Sequence, residues 1–289
     1  MITRDVEPSA VADLALSPRR TTLAVTVDDD VRVLPVSVRL DKPADPARSP
    51  RIIQAPVGSP NLGDRNVVVV ADDGPQWFRL RSLTIRGTAE TMGDRTYRVI
   101  PERIVAWDYG SLREASVSPA AATRRQGPTP VADGGDDLQP CRSPNIQAAV
   151  GNSYVMVLAS RSPRGTPFAV PLWFVAHRGR WYATTSASSW SVRNVDASPR
   201  VAVLLGGEDG QSANRLVVRG HARAVRGIPP LAALAEITWR YYLQPQFAAV
   251  ELSHIRLWAR RMRYYGQSRP AYIVITPLAA IECEAPQSP

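Results

Sequence analysis

Short apolar runs bounded by turn residues dominate the chain, and they come in matched sets. Arg20–Val27 and Arg32–Val38 are β-rich runs joined by Asp28-Asp29-Asp30; Tyr154–Ser160 and Phe168–Val175 are joined by a turn around Ser162-Pro163-Arg164-Gly165. Both pairs read as hairpins, and Pro35 and Pro171 fall at matching places in them. Further on, Leu83–Glu90 matches Leu216–Arg223, each carrying an Arg-Gly inside a strand pattern, and Tyr97–Pro101 loosely matches Tyr272–Pro277. Matches repeated in the same order point to a tandem duplication. A glycine inside a strand marks a bulge or a close backbone approach, so Gly87 and Gly220 predict bends of a curled sheet or places where a ligand comes near.

Period-3.6 patterning occurs in the second half alone, between its last two strands. Leu231, Leu234, Ile237 and Tyr241 make one amphipathic stripe; Ile255, Trp258, Met262 and Tyr265 make another. Pro229-Pro230 opens this helical insertion, Gln244-Pro245 divides it and Gly266 ends it. Arg256, Arg260, Arg261 and Arg263 lie on or beside the polar side of the second stripe, where a solvated face explains them more cheaply than nucleic acid. Ser111–Pro144 holds five prolines and a Gly134-Gly135 pair with almost no large apolar residues, which is linker composition. The pattern divides the chain into a unit at 1–110, a linker at 111–144 and a unit at 145–289 with the insertion at 229–266.

Composition sharpens this picture. A chain of 289 residues suits two domains, and 44% hydrophobic content supports packed cores. The formal charge of +9 is almost all arginine, Lys42 being the single lysine, so the excess is spread rather than concentrated. No apolar run is long enough for a membrane helix, and Met1–Ala10 has no secretory signal, so a cytoplasmic protein is expected. Cys141 and Cys283 cannot make a disulfide framework or a four-ligand zinc site, and His177, His221 and His254 stand apart, so no metal site is expected. His221, beside the Arg219-Gly220 bend, is a minor pocket candidate. No phosphate-binding Gly-rich loop and no Gly-x-Ser-x-Gly elbow occurs.

From Met156 to Arg226 the chain resembles the pyridoxamine-phosphate-oxidase-like split β-barrels, flavin- and deazaflavin-binding oxidoreductases common in actinobacteria. The residues that carry this are a strand, a Gly turn and a strand ending Val170-Pro171-Leu172-Trp173-Phe174. An aromatic strand ending Thr184-Thr185 follows, then a short helix at Ser188–Val195. Ser198-Pro199-Arg200-Val201 and Leu216–Arg223 complete the likeness. The resemblance implies a mainly β fold, two tandem split β-barrels forming an internal pseudo-dimer, with a helical insertion in the second. It implies a flavin-dependent oxidoreductase, with FMN or a deazaflavin as cofactor, moving hydride to or from a small-molecule substrate. Nucleic acid and membrane are not expected partners, and further homodimerisation stays open.

By the same resemblance the cofactor contacts are Trp173 for ring packing, Thr184, Thr185 and Ser186 for the rim, and Ser189, Ser191 and Arg193 for the phosphate. Hydroxyls, a cation and a helix N-terminus suit a phosphate. The sequence departs from the family at one place. The family commonly has Lys or Arg three residues before the Asn that stands here as Asn194; this chain has Ser191, so Arg193, Arg200 or an arginine of the first half would substitute. The matching first-half stretch, Gln54–Asn66, has two prolines and two glycines and no clear Ser-x-Lys, so a site there is expected to be lost. The alternative function is a cofactor-free, degenerate split-barrel binding or scaffolding protein.

Overall fold

A computed structural model describes residues 5–41, 49–73, 80–108, 138–207, 214–243 and 269–284, with 245 and 252. The first half contains β1 (Asp5–Val6), α1 (Ala12–Leu16), β2 (Arg20–Val27), β3 (Asp30–Pro35), β4 (Ser37–Leu40), β5 (Arg51–Gln54), β6 (Asn66–Asp72), β7 (Arg81–Gly93) and β8 (Thr96–Asp108). The second contains α2 (Pro144–Asn152), β9 (Val155–Arg161), β10 (Pro167–Trp173), β11 (Val175–His177), β12 (Arg180–Ser186), α3 (Trp190–Ala197), β13 (Arg200–Leu205), β14 (Asn214–Arg226), α4 (Leu231–Thr238) and β15 (Pro270–Glu284).

Each half is one curled antiparallel sheet. The orders are β3-β2-β6-β7-β8-β5-β4, with β1 added on β8, and β10-β9-β13-β14-β15-β12-β11. Matching β2 with β9, β3 with β10 and so on to β8 with β15 turns one order into the other. The repeat in the sequence is therefore a repeat of topology: two tandem split β-barrels, mainly β.

The apolar runs show how the halves meet. Leu23, Val25, Val67 and Val69 fill the first barrel, and Met156, Leu158, Val203 and Leu205 fill the second. The alternate residues Ala24, Val68 and Val70 face outward and pack on Val157, Ala159, Ala202 and Leu204 of the other half. A strand covered on both faces needs an apolar residue at every position, which is why Val67–Val70 reads as an unbroken run. Each fully buried Val or Leu contributes about 1.5–3 kcal/mol relative to exposure. The two outer faces form the pseudo-dimer interface.

Gly87 pairs with Pro101 and Gly220 with Pro277, and both ladders shift register just before the glycine. A Cβ on Gly87 would lie 1.9 Å from the Ile100 carbonyl oxygen, and one on Gly220 2.9 Å from that of Thr276. Close backbone approach at a bulge, rather than a ligand, fixes these glycines. The pairing also corrects the expected match by one residue. Counted from the paired prolines, Tyr97 corresponds to Ile273 and not to Tyr272, and both are buried.

The first helical stripe is rotated from its expected phase. A π-helical turn, Trp239–Leu243, continues α4, and the inward residues are Ala233, Ile237 and Tyr241, while Leu231 is 78% exposed. Small Ala233 lets the helix lie close to Val175, and hydrogen bonds of Tyr241 fix its rotation. The second stripe, Ile255 to Tyr265, lies outside the described residues, as does most of the Ser111–Pro144 segment. Among the described residues no helix is long and apolar enough to cross a membrane.

Candidate functional site

The end of β12 and the start of α3 form the candidate site. Along β12, Trp181, Ala183 and Thr185 are buried, whereas Thr184 is exposed and Ser186 half-buried. Strand alternation thus sends Thr185 into the barrel and leaves Thr184 and Ser186 on the outer face. The chain then turns: the Ser189 amide donates to the Ser186 carbonyl at 2.9 Å, and the Ser186 and Ser188 hydroxyls lie 3.0 Å apart. Ser189 is the N-cap of α3, its Oγ accepting from the Val192 amide at 3.2 Å.

Helix periodicity separates the remaining predicted residues. Ser191, Val192, Asn194 and Val195 face the core, and the Asn194 amide group donates to Ser160 Oγ at 3.2 Å. Ser191 is only 4% exposed, so the position where the family carries a cation points inward here. Arg193 faces out, its guanidinium 4.5 Å from the centroid of the half-exposed Trp190 ring. The Trp-x-x-Arg spacing that brings these two together was present in the sequence, yet Trp190 was not singled out.

Trp173 sits elsewhere. Its ring stacks on Tyr241 with centroids 4.5 Å apart and planes 2° from parallel. The Tyr241 hydroxyl accepts from the Phe174 amide at 3.0 Å and shares its proton between the carbonyls of Tyr154 and Phe174, each at 2.6 Å. His177 Nδ1 and Glu236 Oε1, 2.7 Å apart, tie α4 to the edge strand β11. An aromatic from the insertion thus covers one face of Trp173.

Of the seven predicted contacts, the structure gathers Ser186, Ser189 and Arg193 around the start of α3, with Ser188 beside them. Thr184 stands on the same face of β12 as Ser186. It turns Thr185 and Ser191 inward and packs Trp173 beneath Tyr241. Hydroxyls, a helix start and one arginine are the donor set that an anionic, phosphate-bearing group requires. Among the described residues, no three of His, Cys, Asp and Glu gather as metal ligands.

Comparison with known proteins finds a family match over this segment. Residues 143–267, which include all of it, match the profile described as pyridoxamine 5'-phosphate oxidase. The C-terminal half is similar to the pyridoxamine 5'-phosphate oxidase family. Solved structures similar to this chain include HutZ, a heme storage protein of Vibrio cholerae, 15% identical over 48% of this chain and 93% of that one, with a TM-score of 0.37. An F420 reductase is 21% identical, covering 47% of this chain and 94% of its own, at a TM-score of 0.34. A putative pyridoxamine 5'-phosphate oxidase from Listeria innocua is 18% identical, covering 48% and 94%, at a TM-score of 0.33. No curated protein matches the chain.

The first half differs at the corresponding place. Between β5 and β6, where the second half has α3, residues 55–65 contain turns and no helix. Asn61 Oδ1 accepts from the Gly63 amide at 2.9 Å, a local turn bond that satisfies the backbone without a helix.

Proposed function

We propose that the C-terminal half binds a flavin, FMN or a deazaflavin, and that the chain is an oxidoreductase acting on a small molecule. The observation that carries this reading is the grouping of Ser186, Ser188, Ser189 and Arg193 at the start of α3, within the segment that matches the family. In this reading the serine hydroxyls and the first-turn amides hold the phosphate. Arg193 supplies the positive charge in place of the inward Ser191, and Trp190 orients the guanidinium. Thr184 and Ser186, on one face of β12, offer hydroxyls to the rest of the cofactor. A bound flavin would supply the hydride chemistry; the chain's own part is to bind, orient and exclude water.

The second reading is a cofactor-free binding protein. Two observations favour it: Trp173 already stacks on Tyr241, and the family's cation position is a buried serine. One experiment separates the two. FMN and a deazaflavin are titrated into the purified chain and followed by visible absorption, and the titration is repeated with Arg193→Ala. The flavin reading predicts a perturbed flavin spectrum and roughly tenfold weaker binding by the variant, as for loss of one charge-assisted hydrogen bond. Absence of binding by either cofactor supports the cofactor-free reading.

A further inference from the structure

The interface between the halves uses the same surface on both sides. Arg86 pairs with Val68, and Val68 with Ala24; Arg219 pairs with Ala202, and Ala202 with Ala159. Counted from these rungs, Ala24 corresponds to Ala159, Val68 to Ala202 and Val70 to Leu204, and all six are in the interface cluster. Two copies of either half would thus have apolar faces able to meet in the same way, as a self-complementary dimer does.

The polar contacts break that equivalence. Arg20 and Asp72 are wholly buried and joined by two hydrogen bonds of 3.0 Å. Their counterparts in the second half are Val155 and Gly206, which carry no charge. Arg20 Nη1 crosses the interface and donates to the carbonyls of these same two residues, at 3.0 and 3.3 Å. In the other direction Arg215 Nη1 donates to the Thr21 carbonyl at 3.1 Å. Arg161 pairs with Asp29, and Arg200 with Asp30 at 3.1 Å, while the Arg86 guanidinium lies 5.3 Å from the Phe168 ring centroid.

None of these contacts survives exchange of the halves. Against a second C-terminal half, Arg161 and Arg200 would face the counterparts of Asp29 and Asp30, which are Gly165 and Thr166. The carbonyls of Val155 and Gly206 would lose the Arg20 guanidinium. Against a second N-terminal half, two buried Arg20–Asp72 pairs would crowd together, and Arg86 would face Arg32, the counterpart of Phe168. Discrimination between partners is a difference of affinities, and unpaired buried groups in the wrong complex enlarge it.

We propose that Arg20, with Asp72 holding it, is a pairing determinant that makes the N-terminal half the dedicated partner of the C-terminal half and excludes a second copy of either. Arg161–Asp29 and Arg200–Asp30 reinforce the choice at the rim.

The test uses the full chain with a protease site inserted in the Pro- and Gly-rich segment between 111 and 137. The folded protein is cut, unfolded in urea, refolded and weighed by native mass spectrometry, which separates N–C, C–C and N–N pairs by mass. N–C pairs are expected, outnumbering C–C pairs by roughly a hundredfold or more, as a few kcal/mol of discrimination gives. A statistical mixture, or no pair of any kind, overturns the proposal. In the Arg20→Val, Asp72→Gly chain the C–C share should rise at least about tenfold; an unchanged share in a folded variant overturns the role of Arg20. The rim double substitution Asp29→Asn, Asp30→Asn, which leaves the buried pair intact, should raise the C–C share by a smaller factor. No rise there removes the rim from the account.

Discussion

The two halves share a strand order and a bulge, yet they differ where a site would be. The second half has α3, capped by Ser189 and lined with serines, between β12 and β13. The first half has at the same place a loop closed by its own Asn61 turn. The second half also has α4 over its β11 edge, with Tyr241 stacked on Trp173. In the first half Ser37 stands where Trp173 does, and a groove of about 180 Å³ is lined by Ser37, Arg39, Ile52 and Gln54. The apolar framework was kept on both sides, while polar groups were distributed one-sidedly. That division suits a pair in which one barrel carries the proposed cofactor site and the other completes the interface.

The comparison is broken most strongly at Arg20. Arg20→Met leaves Asp72 buried without its guanidinium partner, and removes the Arg20 donor from two carbonyls across the interface. The expected loss is about 3–5 kcal/mol of unfolding free energy, measured by urea denaturation. The counterpart Val155→Met alters apolar volume alone and should cost less. The next contrast sets the two bulges against each other. Gly87→Ala meets a carbonyl oxygen at 1.9 Å and Gly220→Ala one at 2.9 Å, so both destabilise and the first does so more. About 3 kcal/mol against about 1 kcal/mol is expected in thermal unfolding. Equal losses would mean that the closer backbone approach at Gly87 does not set the cost.

These tests rest on features that were legible to different degrees in the sequence. The hairpins, the repeat and the Arg-Gly bends could be read because a strand covered on both faces leaves an unbroken apolar run, and because no other residue fits the bulge. The match of Tyr97 to Ile273 was hidden, since Tyr272 and Ile273 are adjacent apolar residues and only the strand register chooses between them. The phase of α4 was hidden too. Leucines at 231 and 234 suggested the inward stripe, but Ala233 and the Tyr241 hydroxyl decided it. Of the candidate site, the serines and Arg193 were found from the resemblance. The inward turn of Thr185 and Ser191 follows from strand alternation and helix periodicity, which needed the element boundaries. Arg20 and Asp72 gave no signal, because a buried pair far apart in sequence looks like two surface charges.

A smaller effect is expected at Tyr241, which has no counterpart in the first half. Tyr241→Phe keeps the stack on Trp173 but removes the partner of the Phe174 amide, for a loss of about 1–3 kcal/mol in urea unfolding. The smallest effect concerns Asp13, whose hydrogen bond with Arg81 holds its carboxyl below the ordinary 3.8. A carboxyl held low adds stability above the ordinary value and loses it as the pH falls through the folded value. Asp13→Asn should therefore lower the midpoint of thermal unfolding slightly at pH 6, and the difference should shrink towards pH 2. A difference that persists undiminished at pH 2 would assign the effect to packing of α1 on β7.

The most direct test of the account is the number of flavins bound per chain, read by isothermal titration of FMN into the purified protein and repeated with a deazaflavin. The account predicts one site per chain, abolished or weakened by Arg193→Ala and untouched by substitutions in the Asn61 loop. Two sites per chain would contradict the division of roles between the halves. No site with either cofactor would contradict the flavin reading itself.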